Sequence, residues 1–186
     1  MSKSLLKIVL GTSATFLLLI AGVNYVSLQR TMAQVEAGDS RNKGIEVFTH
    51  YKYFVNPNVL VYDLRNVAAT SSPIDVTRVL LQFAERQKDT QFANVELTFK
   101  GEDKFVMKGE YFHKLGQEYG AQNAAYTLRT LPQNLYKPDG SQAFGEWTGG
   151  WIGVLTRQME DFGSWHRAWY IDDLAASVKG GVAHAN

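Results

Sequence analysis

Apolar positions change their period several times along this chain. From Ile8 to Gln29 there are 22 residues without a formal charge. As a helix that run is about 33 Å long, enough for a hydrocarbon core of roughly 30 Å. Thr12, Ser13, Thr15, Asn24 and Ser27 interrupt it, and its most apolar part is Phe16 to Ala21. The pattern predicts a transmembrane anchor over residues 8–29, after a short segment 1–7 and before a polar linker over 30–44. A cleaved secretory signal is the alternative, because Lys3 and Lys7 supply a basic start. No small-x-small cleavage triplet follows Ala21 closely.

Beyond the linker the periods are those of a folded unit, expected over residues 45–175. Ile45 to Phe54 alternates and is dense in aromatic and β-branched residues, which predicts a strand. "NPN" at 56–58 is turn chemistry, and Val59 to Leu64 predicts a buried strand. Val76, Val79, Leu80 and Phe83 recur at helical spacing behind Ser72-Pro73, a cap followed by a first-turn proline. Val95, Leu97 and Phe99 alternate before a turn at Gly101, predicting a hairpin that returns over Lys104 to Lys108. Glu110 to Tyr119 and Ala124 to Leu131 predict short helices, with Gly120 as a left-handed stop and Pro132 as a breaker. Trp151, Leu155, Phe162, Trp165 and Trp169 share one face of a long last helix. Residues 176–186 are small and polar and are expected to be disordered. The fold class expected is α+β: a transmembrane helix, then one small domain in which helices pack an antiparallel sheet of about four strands.

Charge changes this picture in one respect. The whole chain carries +1, but Gly44 to Ala175 holds 13 basic and 16 acidic residues, a net of −3. A mildly acidic domain argues against a nucleic-acid partner. Cysteine is absent, which removes disulfides, thiolate metal sites and cysteine nucleophiles. Hydrophobic content of 45% excludes a disordered chain.

Candidate chemistry is sparse. Glu110 and His113 have the E-x-x-H spacing of di-iron bundles, but such sites need a second copy and further carboxylates, so no metal is expected. His166 with Asp172 and Asp173 is a second histidine and carboxylate group, without the i,i+3 or i,i+4 spacing of facing residues. No Gly-x-Ser-x-Gly, P-loop or dinucleotide-binding glycine pattern occurs, and no cofactor is expected. His50 and Lys52 share one face of the first strand, where a lysine on an edge strand deters pairing with other chains.

The stretch "GEWTGGW" is the binding candidate. Gly149 and Gly150 enter a helix, and Trp147 and Trp151 flank the turn. Packed, the tryptophans are core, and Trp151 heads the face expected to be buried. Exposed, they stack on a sugar or grip a partner protein. The expectation is a domain held outside the cytoplasm on a bacterial-type inner membrane, with the lipid bilayer as partner through residues 8–29. It is expected to act without catalysis by binding another envelope protein. The alternatives are an envelope hydrolase using a carboxylate with His113 or His166, and a glycan-binding module.

Overall fold

The structure, a computed structural model, describes Thr15 and residues 17–183. A π-helical turn at Tyr25–Gln29 runs into helix α1 (Arg30–Gly38). Strands β1 (Ile45–Lys52) and β2 (Asn56–Val67) follow, then α2 (Pro73–Arg86), β3 (Asn94–Phe99) and β4 (Glu102–Lys108). Helices α3 (Gly109–Glu118) and α4 (Ala124–Thr130) and the short strand β5 (Leu135–Tyr136) complete the central part. Helix α5 (Trp151–His166), a π-turn (Arg167–Ile171) and α6 (Asp172–Ala183) then succeed one another without a break.

The sheet has five strands in the order β1-β2-β3-β4-β5. It is mixed, not wholly antiparallel as expected. The β2 and β3 pair is parallel, with Val59 opposite Asn94 and Leu64 opposite Phe99. Parallel neighbours need a crossover, and α2 supplies it. Its start matches the sequence expectation: Ser72 Oγ accepts from the Asp75 backbone, and the Asp75 carboxylate accepts from the Ser72 backbone.

One face of the sheet is the core. Leu60, Tyr62, Leu64, Val95, Leu97 and Met107 are buried against the helices. A run of rings crosses this layer. Trp165 stacks on Trp169 at 5.4 Å, Trp169 meets Tyr62 at 6.1 Å, Tyr62 meets Phe83 at 6.0 Å, and Phe83 meets Phe112 at 6.3 Å. The Trp169 indole N–H donates to the Thr98 carbonyl at 3.0 Å, satisfying its one polar atom inside the core. Helices α2 and α3 touch at Gly116, where a Cβ would lie 2.2 Å from the Ala84 carbonyl oxygen.

The transmembrane expectation does not survive. Among the described residues no helix is long and apolar enough to cross a membrane. Residues 8–14 and Phe16 of the proposed anchor lie outside the described residues. The stretch from Asn24 to Gln29 has another occupation: it lies along the outer edge of β1, and Glu36 on α1 continues the line. Asn24 Oδ1 accepts from the Tyr51 N–H at 2.8 Å, and Asn24 Nδ2 donates to the Phe54 carbonyl at 2.7 Å. Gln29 Oε1 accepts from the Thr49 N–H at 2.8 Å, and Glu36 Oε1 accepts from the Val47 N–H at 2.8 Å. Leu28 is fully buried. Asn24, one of the polar interruptions of the apolar run, and Gln29 at its end are therefore caps for an unpaired strand edge, which folded proteins must cover. A single-pass placement in an inner membrane, with the domain outside the cytoplasm, is accordingly not supported.

Two further expectations change. Residues 30–44 were expected as a linker, yet α1 buries Met32 and Val35 and is tied to α2 through Asn42. Asn42 Nδ2 donates to the Val35 carbonyl at 2.8 Å and to Gln82 Oε1 at 2.6 Å. The region 176–186 was expected to be disordered, yet α6 runs to Ala183; residues 184–186 lie outside the described residues. The alanines of this segment favour a helix, and the preceding helix supplies the nucleus that a short isolated segment lacks.

Candidate functional site

The aromatic face of α5 is divided. Its C-terminal half is core: Phe162, Trp165 and then Trp169 are buried. Its N-terminal half overhangs the domain, so Trp151 remains 75% exposed and Ile152 64% exposed. Trp151 is thus not the core residue that its helical spacing suggested. Leu155 is half-buried and Met159 exposed, so Trp151, Leu155 and Met159, four residues apart, mark one line along the helix.

The turn before α5 presents this head. Gly149 is held at φ 127°, a conformation that residues with a Cβ rarely adopt. Gly150 is the N-cap, and its carbonyl accepts from the Val154 N–H at 3.1 Å. No side chain caps this end. The free N–H groups there are an ordinary property of helix starts and do not amount to an anion site.

Trp147 is held from behind. Its indole N–H donates to Asp161 Oδ2 at 2.6 Å, and the Arg157 guanidinium lies 5.4 Å from its ring centroid. Arg157 in turn lies 3.5 Å from Glu160. Trp147 is 38% exposed, so one side of the indole is fixed on α5 while the rest faces water. The structure places Trp147 beside α5 and Trp151 at its tip. Sequence reasoning missed Ile152 and Met159 as surface residues, and missed Arg157 and Asp161 as the supports of Trp147. A polar pair at the i,i+4 spacing of 157 and 161, within reach of a loop tryptophan, was the available signal.

The histidine candidates lie apart. His113 Nε2 accepts from the Gln117 amide at 2.8 Å, so its proton sits on Nδ1, a buried atom without a partner among the described residues. Glu110, the other half of E-x-x-H, is exposed. His166 is buried between α5 and α2. Its Nδ1–H donates to the Phe162 carbonyl at 2.9 Å, and Nε2 accepts from the Thr77 hydroxyl at 2.9 Å. That hydroxyl also lies 3.0 Å from the Pro73 carbonyl. Burial lowers the His166 pKa from 6.5 to about 4, so the ring is neutral and serves as a pin between two helices.

Of the carboxylates grouped with His166, Asp173 pairs with Lys104 at 2.8 Å and Asp172 is exposed. Ser164 Oγ, near His166 in sequence, accepts from the Arg167 guanidinium at 3.2 Å. Among the described residues no group of three or more histidine or carboxylate side chains is arranged to hold a metal ion.

Comparison with protein-family models, with curated proteins and with solved structures finds no match to this chain.

Proposed function

We propose that this chain is a non-catalytic binding module that captures another protein through the head of α5. The docking residues are Trp147, Gly149, Gly150 and Trp151, extended by Ile152 and Met159. The observation that carries this reading is the exposure of Trp151 and Ile152, adjacent on a helix whose other half is anchored in the core. Rigid aromatic side chains on a preorganised element lose little freedom on binding, and tryptophan is enriched among residues that dominate interface energies. Trp147, braced by Asp161 and Arg157, supplies a second aromatic surface already fixed in orientation. The partner expected is a protein offering an apolar pocket that takes the Trp151 indole.

The test is co-purification of partners with wild-type protein and with the Trp151→Ala, Ile152→Ser variant. These side chains lie outside the core, so circular dichroism and the urea midpoint should stay unchanged. Loss of about 2 kcal/mol at one central tryptophan corresponds to roughly thirtyfold weaker binding. A folded variant that retains its partner at wild-type affinity overturns the assignment.

A further inference from the structure

The sheet face opposite the helices carries a groove of about 420 Å³. Its lining comes from strands and their turns alone. Register builds its floor: Phe48, Asp63, Thr98 and Asp103 stand opposite one another across four strands, with His50, Val61 and Glu96 in the next row. One wall is aromatic. His50 and Phe54 stack at 4.4 Å with 16° between their planes, and Phe48 lies 5.1 Å from His50. Tyr53 and Phe54 are held at φ 54° and 65°, a backbone that bulky residues seldom adopt. That turn is what brings Phe54 over His50.

The polar groups of the groove have acceptors to spare. Lys52 Nζ lies 2.6 Å from Glu96 Oε2 and 3.4 Å from Asp103 Oδ2, which leaves Glu96 Oε1 and Asp103 Oδ1 without partners among the described residues. His50 Nδ1–H donates to the Tyr51 carbonyl at 2.8 Å, which fixes the orientation of the ring. Thr98 is 1% exposed, and its hydroxyl has no partner at all among the described residues. A buried hydroxyl without a hydrogen bond is costly, and it lies in the floor of this groove. Asp63, also 1% exposed, is already satisfied by the Gly101 N–H and Arg65. Three carboxylates face two cations here, so the groove carries a net negative charge.

We propose that this groove binds an organic cation of the guanidinium class, as on an arginine side chain. A guanidinium is planar, stacks on aromatic faces and presents forked N–H donors to carboxylates. The chain's own Arg65 shows the same chemistry at one end of the lining: its guanidinium lies 5.5 Å from the Phe48 ring centroid and pairs with Asp63. The incoming cation stacks on the His50 and Phe54 wall and donates to Glu96 Oε1 and Asp103 Oδ1. The Thr98 hydroxyl then gains the polar neighbour it lacks.

The experiment titrates the full chain with Nα-acetyl-arginine amide, followed by amide chemical shifts. Nα-acetyl-citrulline amide, its neutral counterpart, and an arginine-containing pentapeptide are run in parallel. Saturable shifts confined to β1, β2, β3, the start of β4 and the turns joining them are expected with the arginine probe, and citrulline should bind about tenfold more weakly or not at all. Asp103→Asn and Glu96→Gln should each weaken the arginine probe by about tenfold while leaving the unbound spectrum folded. Peptide binding much tighter than the free amide assigns the guanidinium to a partner chain, and equal binding assigns it to a small molecule; both support the site. No saturable shift up to about 10 mM, equal binding of citrulline, or indifference to both substitutions overturns it.

Discussion

Replacing Gln29 by leucine tests the packing of the N-terminal helix against β1. The side chain accepts from the Thr49 N–H at 2.8 Å and from the Thr49 hydroxyl at 3.1 Å, and donates to the Val47 carbonyl at 3.3 Å. Leucine keeps the helix propensity and the approximate volume but removes all three bonds. A half-buried strand N–H and carbonyl are then left facing an apolar side chain. Each orphaned group costs about 1–3 kcal/mol where water cannot reach it, and partial exposure brings the sum to about 2–4 kcal/mol. That is a large fraction of the roughly 5–15 kcal/mol that holds a domain folded. Urea unfolding followed by circular dichroism measures the loss. Asn24→Leu, which removes the bonds to Tyr51 and Phe54, should behave alike, because both act on one strand edge. An uncapped β1 edge should also promote self-association, visible by sedimentation. Variants within 0.5 kcal/mol of wild type, the behaviour of ordinary surface positions, would refute the edge-capping account.

Two other outcomes follow from single contacts. Gly116→Ala places a methyl group against the Ala84 carbonyl at 2.2 Å, so α3 must move away from α2, and the urea midpoint should fall by the equivalent of about 2 kcal/mol or more. His166 binds its proton more weakly when folded, at about 4, than its ordinary 6.5, so the unfolded chain takes up the extra proton as pH falls. Its stabilising contribution is complete above about pH 6.5 and is lost progressively towards pH 4, by about 3 kcal/mol in total. His166→Gln should flatten that part of the stability profile, and an unchanged slope between pH 7 and 4 would contradict the buried neutral ring.

The elements whose formation is local were legible in the sequence. The capping box at Ser72 and Asp75, the hairpin around Gly101 and the left-handed Gly120 depend on a few neighbouring residues, and each is present. What escaped depends on distant partners. Apolar spacing tells which residues share a face but not what covers it, so Trp151 and Trp165 looked equivalent although only one reaches the core. Asn24 read as an imperfection in a greasy helix and Gln29 as the end of it, because their partners are backbone groups of a strand 20 and 27 residues away. The parallel pairing of β2 and β3 likewise arises from where α2 returns the chain. Of the candidate site, the tryptophans and glycines were readable as a cluster. The open sheet groove was not, since only the register sets Asp63, Thr98 and Asp103 in one row.

A photo-reactive amino acid placed at Ile152 in cells that make the native protein, with a matched position at Glu102 at the start of β4, is the sharpest test of docking by the head of α5. Both side chains are exposed, so both label anything that collides at random. Docking through this head should give one discrete adduct from position 152, absent from position 102 and lost when Trp151 is changed to alanine. Identical products from both positions, or a position-152 adduct that persists without the Trp151 indole, would contradict it.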